Sequence, residues 1–158
     1  VTAHDAKGRY KSLGEIGLEN FATYMMNRIM ARYNARLRGR IRSMGLTTAK
    51  MRALAVLSVI DAPLVGELAV YSIIEKSTLS RALDALEADG LIVRSMDRED
   101  SRAIRISITP DGRRAFEEVW PDMLDSYEAM FAGIGDDERQ AFLGTLKKML
   151  KNTRVHDY

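Results

Sequence analysis

No cysteine occurs among the 158 residues, so this chain holds no disulfide, no thiolate metal ligand and no thiol redox sensor. Its only two histidines, His4 and His156, are far apart in sequence and lack the spacing of metal ligands. Neither a metal nor another cofactor is expected. No apolar run approaches the roughly 18 residues that a membrane span needs, and the first residues form no apolar core of a secretory signal. The expected location is therefore the cytoplasm, with no membrane partner. A Ser-His-Asp set, a phosphate-binding P-loop and a GxGxxG turn are all missing, which leaves catalysis without a visible basis. An enzyme is not expected.

Bulk charge is also scarce, and its distribution says more than its sum. The net charge is +2; residues 1–42 carry nine Lys/Arg against three Asp/Glu, residues 43–110 eight against nine, and residues 111–158 seven against ten. The central segment is thus slightly acidic, so affinity for nucleic acid cannot rest on a broad basic face. Any such affinity has to come from a few placed cations.

What is present is helical periodicity. Residues 1–17 lack it and predict a flexible arm, loose over the polar residues 1–12. From Leu18, apolar residues recur through Phe21, Met25, Ile29, Tyr33, Leu37 and Ile41, predicting one long helix to about Gly45 with Gly39 a weak point. Leu46-Thr47-Thr48 offers an N-cap for a second helix through Met51, Leu54, Leu57 and Val59-Ile60, ending before Pro63. A short third helix covers Val65 to Tyr71. Thr109 and Pro110 restart helix as N-cap and first helical residue. Pro121 is expected to kink that helix rather than end it, because the apolar stripe from Phe116 to Ile134 keeps its phase. Gly135-Asp136 opens a last helix through Leu150.

Residues 76–112 form the densest signal. A helix from Lys76 to about Asp89 buries Leu79, Leu83 and Leu86 on one stripe and gathers Lys76, Ser77, Thr78, Ser80 and Arg81 at its N-terminal end. Gly90 supplies the left-handed stop. Two strands follow, Ile92–Arg94 and Ala103–Ile108, joined by the six polar residues Asp97 to Arg102. A donor-rich helix start followed by a hairpin with an arginine tip suits a winged helix-turn-helix gripping DNA. The fold class is mainly α with a small two-stranded β wing. Its parts are an arm (1–17), an N-terminal dimerisation helix (18–45), the winged helix-turn-helix (46–109) and C-terminal dimerisation helices (110–154). The outer helices carry apolar stripes longer than a small core can cover, and two-fold pairing into a homodimer is the commonest way to cover them.

Read in order, Leu46-Thr47, Glu67-Leu68-Ala69, Ser77-Thr78-Leu79-Ser80-Arg81, Leu83-Asp84-Ala85-Leu86-Glu87, Gly90-Leu91-Ile92, Asp100-Ser101-Arg102 and Ile108-Thr109-Pro110-Asp111-Gly112 resemble the MarR family of bacterial transcriptional regulators. The resemblance covers roughly Leu18 to Leu150. It implies a homodimer on a pseudo-palindromic double-stranded DNA site, with the recognition helix in the major groove and the wing at the minor groove. It also implies a repressor released by a small, often aromatic, effector. Two departures stand out: Ser72-Ile73-Ile74 replaces the family's Leu-Gly-apolar turn, and Leu64-Val65 lacks the Ser or Thr that often faces a phosphate at the start of the third helix. Ile73 is not expected to take positive φ, so the turn should change conformation or the third helix run on.

Within that frame Arg81 is the candidate for a guanine edge. Ser77, Thr78 and Ser80 are short enough for close approach, and Lys76 suits a phosphate. By the family pattern Arg102 enters a narrow minor groove, and Asp100 holds the wing loop. Arg98 is a further wing candidate, and Arg94 either meets a phosphate or pairs with a neighbouring acid. The run Arg36, Arg38, Arg40, Arg42 reads as a solvated face near a helix end. Tyr24, Met25, Met26, Trp120, Met123 and Tyr127 either line an effector pocket or form core and dimer contacts. The competing functional class is a winged-helix module that binds protein through the same surface.

Overall fold

The computed structural model describes residues 4–100 and 102–153. Its elements run α1 (Leu13–Ile16), a 3-10 turn (Leu18–Asn20), α2 (Ala22–Ser43), α3 (Thr48–Leu57), α4 (Val65–Ser72), α5 (Lys76–Ala88), β1 (Ile92–Met96), β2 (Ile104–Ile108), α6 (Pro110–Glu117), α7 (Trp120–Met130) and α8 (Asp136–Asn152). The chain divides into two compact units, one ending at Gly39 and the other beginning at Arg40.

In the first unit, the stretch expected to be a loose arm has local structure. Asp5 accepts hydrogen bonds from the N–H groups of Lys7 and Arg9, and Arg9 pairs with Glu15 at 2.7 Å. Ser12 and Glu15 then form a reciprocal capping box that starts α1. The apolar stripe from Leu18 begins with a 3-10 turn, and α2 proper starts at Ala22. Gly39 does not interrupt α2.

The second unit is built on α3, α4 and α5. Thr47 Oγ1 accepts the Lys50 N–H and opens α3. That helix ends at Leu57, earlier than the periodicity suggests; Val59 is exposed and Ile60 half-buried in the turn beyond it. Met51, Leu54 and Leu57 of α3 meet Leu68 of α4 and Leu79, Leu83 and Leu86 of α5 in a closed apolar core, together with Ile92 and Ile106 of the hairpin. The strands pair antiparallel with Ile92 opposite Ile108 and Met96 opposite Ile104. A third segment joins the sheet at its edge, where Leu64 bridges Arg105 and the Ile106 N–H donates to the Pro63 carbonyl.

Thr109 caps α6 by accepting the Gly112 N–H at 3.0 Å. Only glycine fits at 112, since a Cβ there would lie 2.0 Å from the Leu91 carbonyl oxygen. Pro121 does not kink one continuous helix. Instead α6 ends at Glu117 and α7 restarts at Trp120, with Glu118 and Val119 still near helical angles, which preserves the phase of the stripe. Pro121 thus occupies the first turn of a new helix, where its missing N–H has no partner to lose.

Candidate nucleic-acid interface

The helix-turn-helix is α4 and α5. At the start of α4, Glu67 Oε2 accepts the Leu64 N–H at 2.7 Å, so the first turn is tied despite the missing Ser or Thr. At its end, the Ile73 N–H donates to Val70 and the Ile74 N–H to Ala69, the paired bonds of a Schellman motif. That motif needs a left-handed residue, and Ile73 takes it at φ 55°, ψ 52°. This corrects the expectation that a β-branched residue would force another turn. Gly90 plays the same part after α5, with φ 70° and bonds from Gly90 to Glu87 and from Leu91 to Leu86. The buried leucines on both helices hold α4 and α5 in place, so Ile73 bears a strain of about 1–2 kcal/mol.

Because α5 is fixed by Leu79, Leu83 and Leu86 on one side, its other side places Lys76, Ser77, Thr78, Ser80 and Arg81 in solvent together. No side chain caps the helix start. Its first N–H groups lack intrahelical partners and add a partial positive charge there. Among the described residues the Arg81 side chain bonds only back to the Ser77 carbonyl of its own helix, at 3.3 Å. Lys76, Arg81 and Arg98 have no carboxylate partner among the described residues.

Arg94 behaves differently. Its strand position points to the same face as Ile92, toward α5, and its guanidinium spans Asp84 and Glu87 at 2.7 Å each. Of the two roles open in the sequence, pairing with acids is the one observed. Breaking two charge-assisted bonds to reach a phosphate would be costly. Held there, Arg94 offsets part of the negative charge of Asp84 and Glu87, the two carboxylates within α5.

The wing tip is organised by aspartates. Asp97 Oδ1 accepts the N–H groups of Glu99 and Asp100, both at 2.9 Å, and Asp100 Oδ1 accepts Arg102 through its backbone N–H and its Nε. Those backbone bonds from Asp100 and Glu99, then Arg105, hold the Asp97 carboxyl well below its ordinary range, at about 2. Arg102 keeps 90% of its side chain in solvent. Ser101, between them in the motif, lies outside the described residues. Sequence reading missed Arg105. Its Nε donates to Asp97 and its Nη1 to the Ala62 carbonyl at 2.9 Å. The available signal was the hairpin register: Asp97 and Arg105 lie two positions apart across the strands, on one face.

Arg40 pairs with Asp122 at 3.0 Å, while Arg36, Arg38 and Arg42 stay without carboxylate partners among the described residues. Tyr24, Met25 and Met26 lie in the first unit, and Trp120, Met123 and Tyr127 in the second. Tyr127 is occupied structurally: its ring lies 5.1 Å from Phe131, and Arg139, forked onto Glu128, covers it at 4.8 Å. A cleft of about 400 Å³ opens at the wing root, between Ala62, Arg105 and the stretch Ser95–Glu99, and none of the six effector-pocket candidates Tyr24, Met25, Met26, Trp120, Met123 and Tyr127 lines it.

A helix-turn-helix followed by a two-stranded wing defines a winged-helix protein. A model of the MarR family matches residues 44–103. A MarR family transcriptional regulator from Silicibacter pomeroyi is 53% identical, with a TM-score of 0.89, over 94% of this chain and 100% of its own. The chain therefore belongs to the MarR family. The HTH-type transcriptional repressor YetL of Bacillus subtilis (strain 168) is 31% identical over 89 residues, 56% of this chain and 53% of that protein, so the match spans about half the relative's length. Bordetella bronchiseptica BpsR, whose DNA binding is regulated by 6-hydroxynicotinic acid, is 27% identical with a TM-score of 0.69, over 81% of this chain and 97% of its own. Among the described residues no helix is long and apolar enough to cross a membrane.

Proposed function

We propose that this MarR-family regulator is a homodimeric repressor that binds a pseudo-palindromic double-stranded DNA site and releases it on binding a small effector. One observation carries the DNA reading: the cations without acid partners include Arg81 at the bare start of α5, while Arg94 shields that helix's own carboxylates. The N-terminal turn of α5 enters the major groove, where short Ser77, Thr78 and Ser80 permit close approach and Lys76 meets a phosphate. Arg81 offers its fork to guanine O6 and N7. Arg102, carried out by the wing and oriented by Asp100, reaches the minor groove, where an A·T-rich sequence concentrates negative potential. Arg98 supplies a supporting phosphate contact.

Dimerisation is supported by the apolar side chains exposed on the outer helices: Phe21, Met25 and Ile29 near the start of α2, and Phe142 and Leu150 on α8. Two-fold symmetry then sets half-site centres about 10–10.5 bp apart, or a multiple of that. Repression is supported by the likeness to YetL, and effector control by the likeness to BpsR. A salt titration on genomic fragments tests the reading. Affinity for a preferred fragment should fall steeply as salt rises, as counterions compete for phosphates. Flat dependence with no preferred fragment contradicts it and favours a protein-binding module.

A further inference from the structure

We infer that Arg105 is a positioning residue for DNA recognition, setting where the wing tip carries Arg102. This rests on the minor-groove reading of Arg102 above and adds to it the part that aims the arginine. Arg105 lies on β2, three residues beyond Arg102, and its side chain bonds Asp97 and Ala62 rather than Arg102. Its guanidinium joins two otherwise separate pieces of chain: Nε meets Asp97 at the wing root, and Nη1 meets the Ala62 carbonyl in the loop between α3 and α4. From Asp97 the bonds continue to the N–H groups of Glu99 and Asp100, and from Asp100 to Arg102. An unbroken polar chain therefore runs from the α3–α4 loop to the arginine at the tip.

Three details make this a clamp rather than a surface ion pair. The Asp97 side chain is only 9% exposed. Ala62 holds a left-handed conformation, φ 44°, that non-glycine residues rarely adopt. The same loop is fastened to β2 again by the Pro63 carbonyl accepting the Ile106 N–H and by the Leu64 bridge to Arg105. A two-stranded ribbon is by itself a weakly held element. Beyond Met96 and Ile104 the described tip residues are polar apart from Ala103, and the Arg105 fork ties them, through Asp97, to the loop. Lysine has one ammonium and lacks the planar fork that serves both acceptors at once.

The test is a selection from randomised DNA sites with wild type and the variants Arg102→Ala, Arg105→Gln, Arg105→Lys, Asp97→Asn and Arg102→Ala/Arg105→Gln, with thermal melting as a check of folding. Arg105→Gln should lose A·T preference at the site flanks by about fivefold, the low end of what loss of one base-reading arginine produces. Preference at the position read by Arg81 should stay intact. Arg105→Lys should lose part of the flank preference. The double variant should lose no more than Arg102→Ala alone, because Arg105 acts through Arg102. Asp97→Asn breaks the clamp from its other side, so it should reproduce Arg105→Gln and decides the matter if that variant melts early. Unchanged flanks in both clamp variants, or losses that add in the double variant, overturn the inference while the reading of Arg102 stands. No flank preference in wild type, or none lost in Arg102→Ala, means that the reading of Arg102 fails and the clamp's function with it.

Discussion

Helix α5 and the wing present their cations in opposite ways. On α5 the backbone is fixed by fully buried Leu79, Leu83 and Leu86, and Arg81 in its N-terminal half makes no ion pair among the described residues. In the wing the tip has little apolar packing, and two of the wing's arginines are held by its own carboxylates, Arg102 by Asp100 and Arg105 by Asp97. Apolar burial fixes an element without using up its charges. Polar bonds fix an element only by engaging them, and exposed pairs weaken as salt rises. The helix is thus a rigid platform with a free probe, whereas the wing is an adjustable arm with a tethered one. Arg94 joins the two, being a wing residue whose guanidinium pairs with the acids of the helix.

The largest effect should come from removing the platform. Leu83→Ala opens a cavity beneath α5 and should cost about 2–5 kcal/mol of stability in thermal or denaturant melting. A loss below about 1 kcal/mol would mean that the helix is not held by its core. Next comes the probe. Arg81→Ala should cost about 1–3 kcal/mol of binding and relax preference at one base position per half-site; uniform weakening across all sequences would make Arg81 a phosphate contact. A smaller effect of opposite sign is expected at the turn that aims the helix. Ile73 is 81% exposed, so Ile73→Gly gives up little burial. By relieving the left-handed strain it should raise stability by about 1 kcal/mol. A lower melting temperature would show that the isoleucine side chain does structural work at this turn.

The smallest effect tests the tether through pH. The Asp97 carboxyl is held at about 2 when folded, below the ordinary carboxylate value of about 3.9. A depressed carboxyl contributes stability that is complete above its unfolded value and is lost as pH falls toward its folded one. Asp97→Asn should therefore remove a component of acid sensitivity confined to the window from about pH 4 down to about 2. An Asn variant with an unchanged acid profile over that window would show that Asp97 does not hold the wing.

The order of elements and the buried face of α5 were legible because leucines at helical spacing have one way to be covered. Gly90 and Thr109-Pro110 were legible for the same reason, since each marks a backbone need that few residues meet. The Ile73 turn was not, because tertiary packing of α4 and α5 overrode the local preference of a β-branched residue. Nor was the break before Pro121, since two residues of near-helical turn leave the stripe in phase. The sequence pattern put the N-terminal residues of α5 on the side away from its leucines, and those residues are exposed. It left Arg94 undecided and missed Arg105, because both depend on which acids the hairpin register brings near. Pairing of that kind is a property of three-dimensional neighbours, which composition does not carry.

Selection from randomised DNA sites with Arg81→Ala and Arg102→Ala, each beside wild type at one salt concentration, tests the central claim most directly. Recognition by a few placed cations predicts two separable losses: one base position per half-site for Arg81→Ala, and A·T preference at the flanks for Arg102→Ala. If both variants bind more weakly with every base preference intact, the cations serve only as phosphate anchors and the account is contradicted.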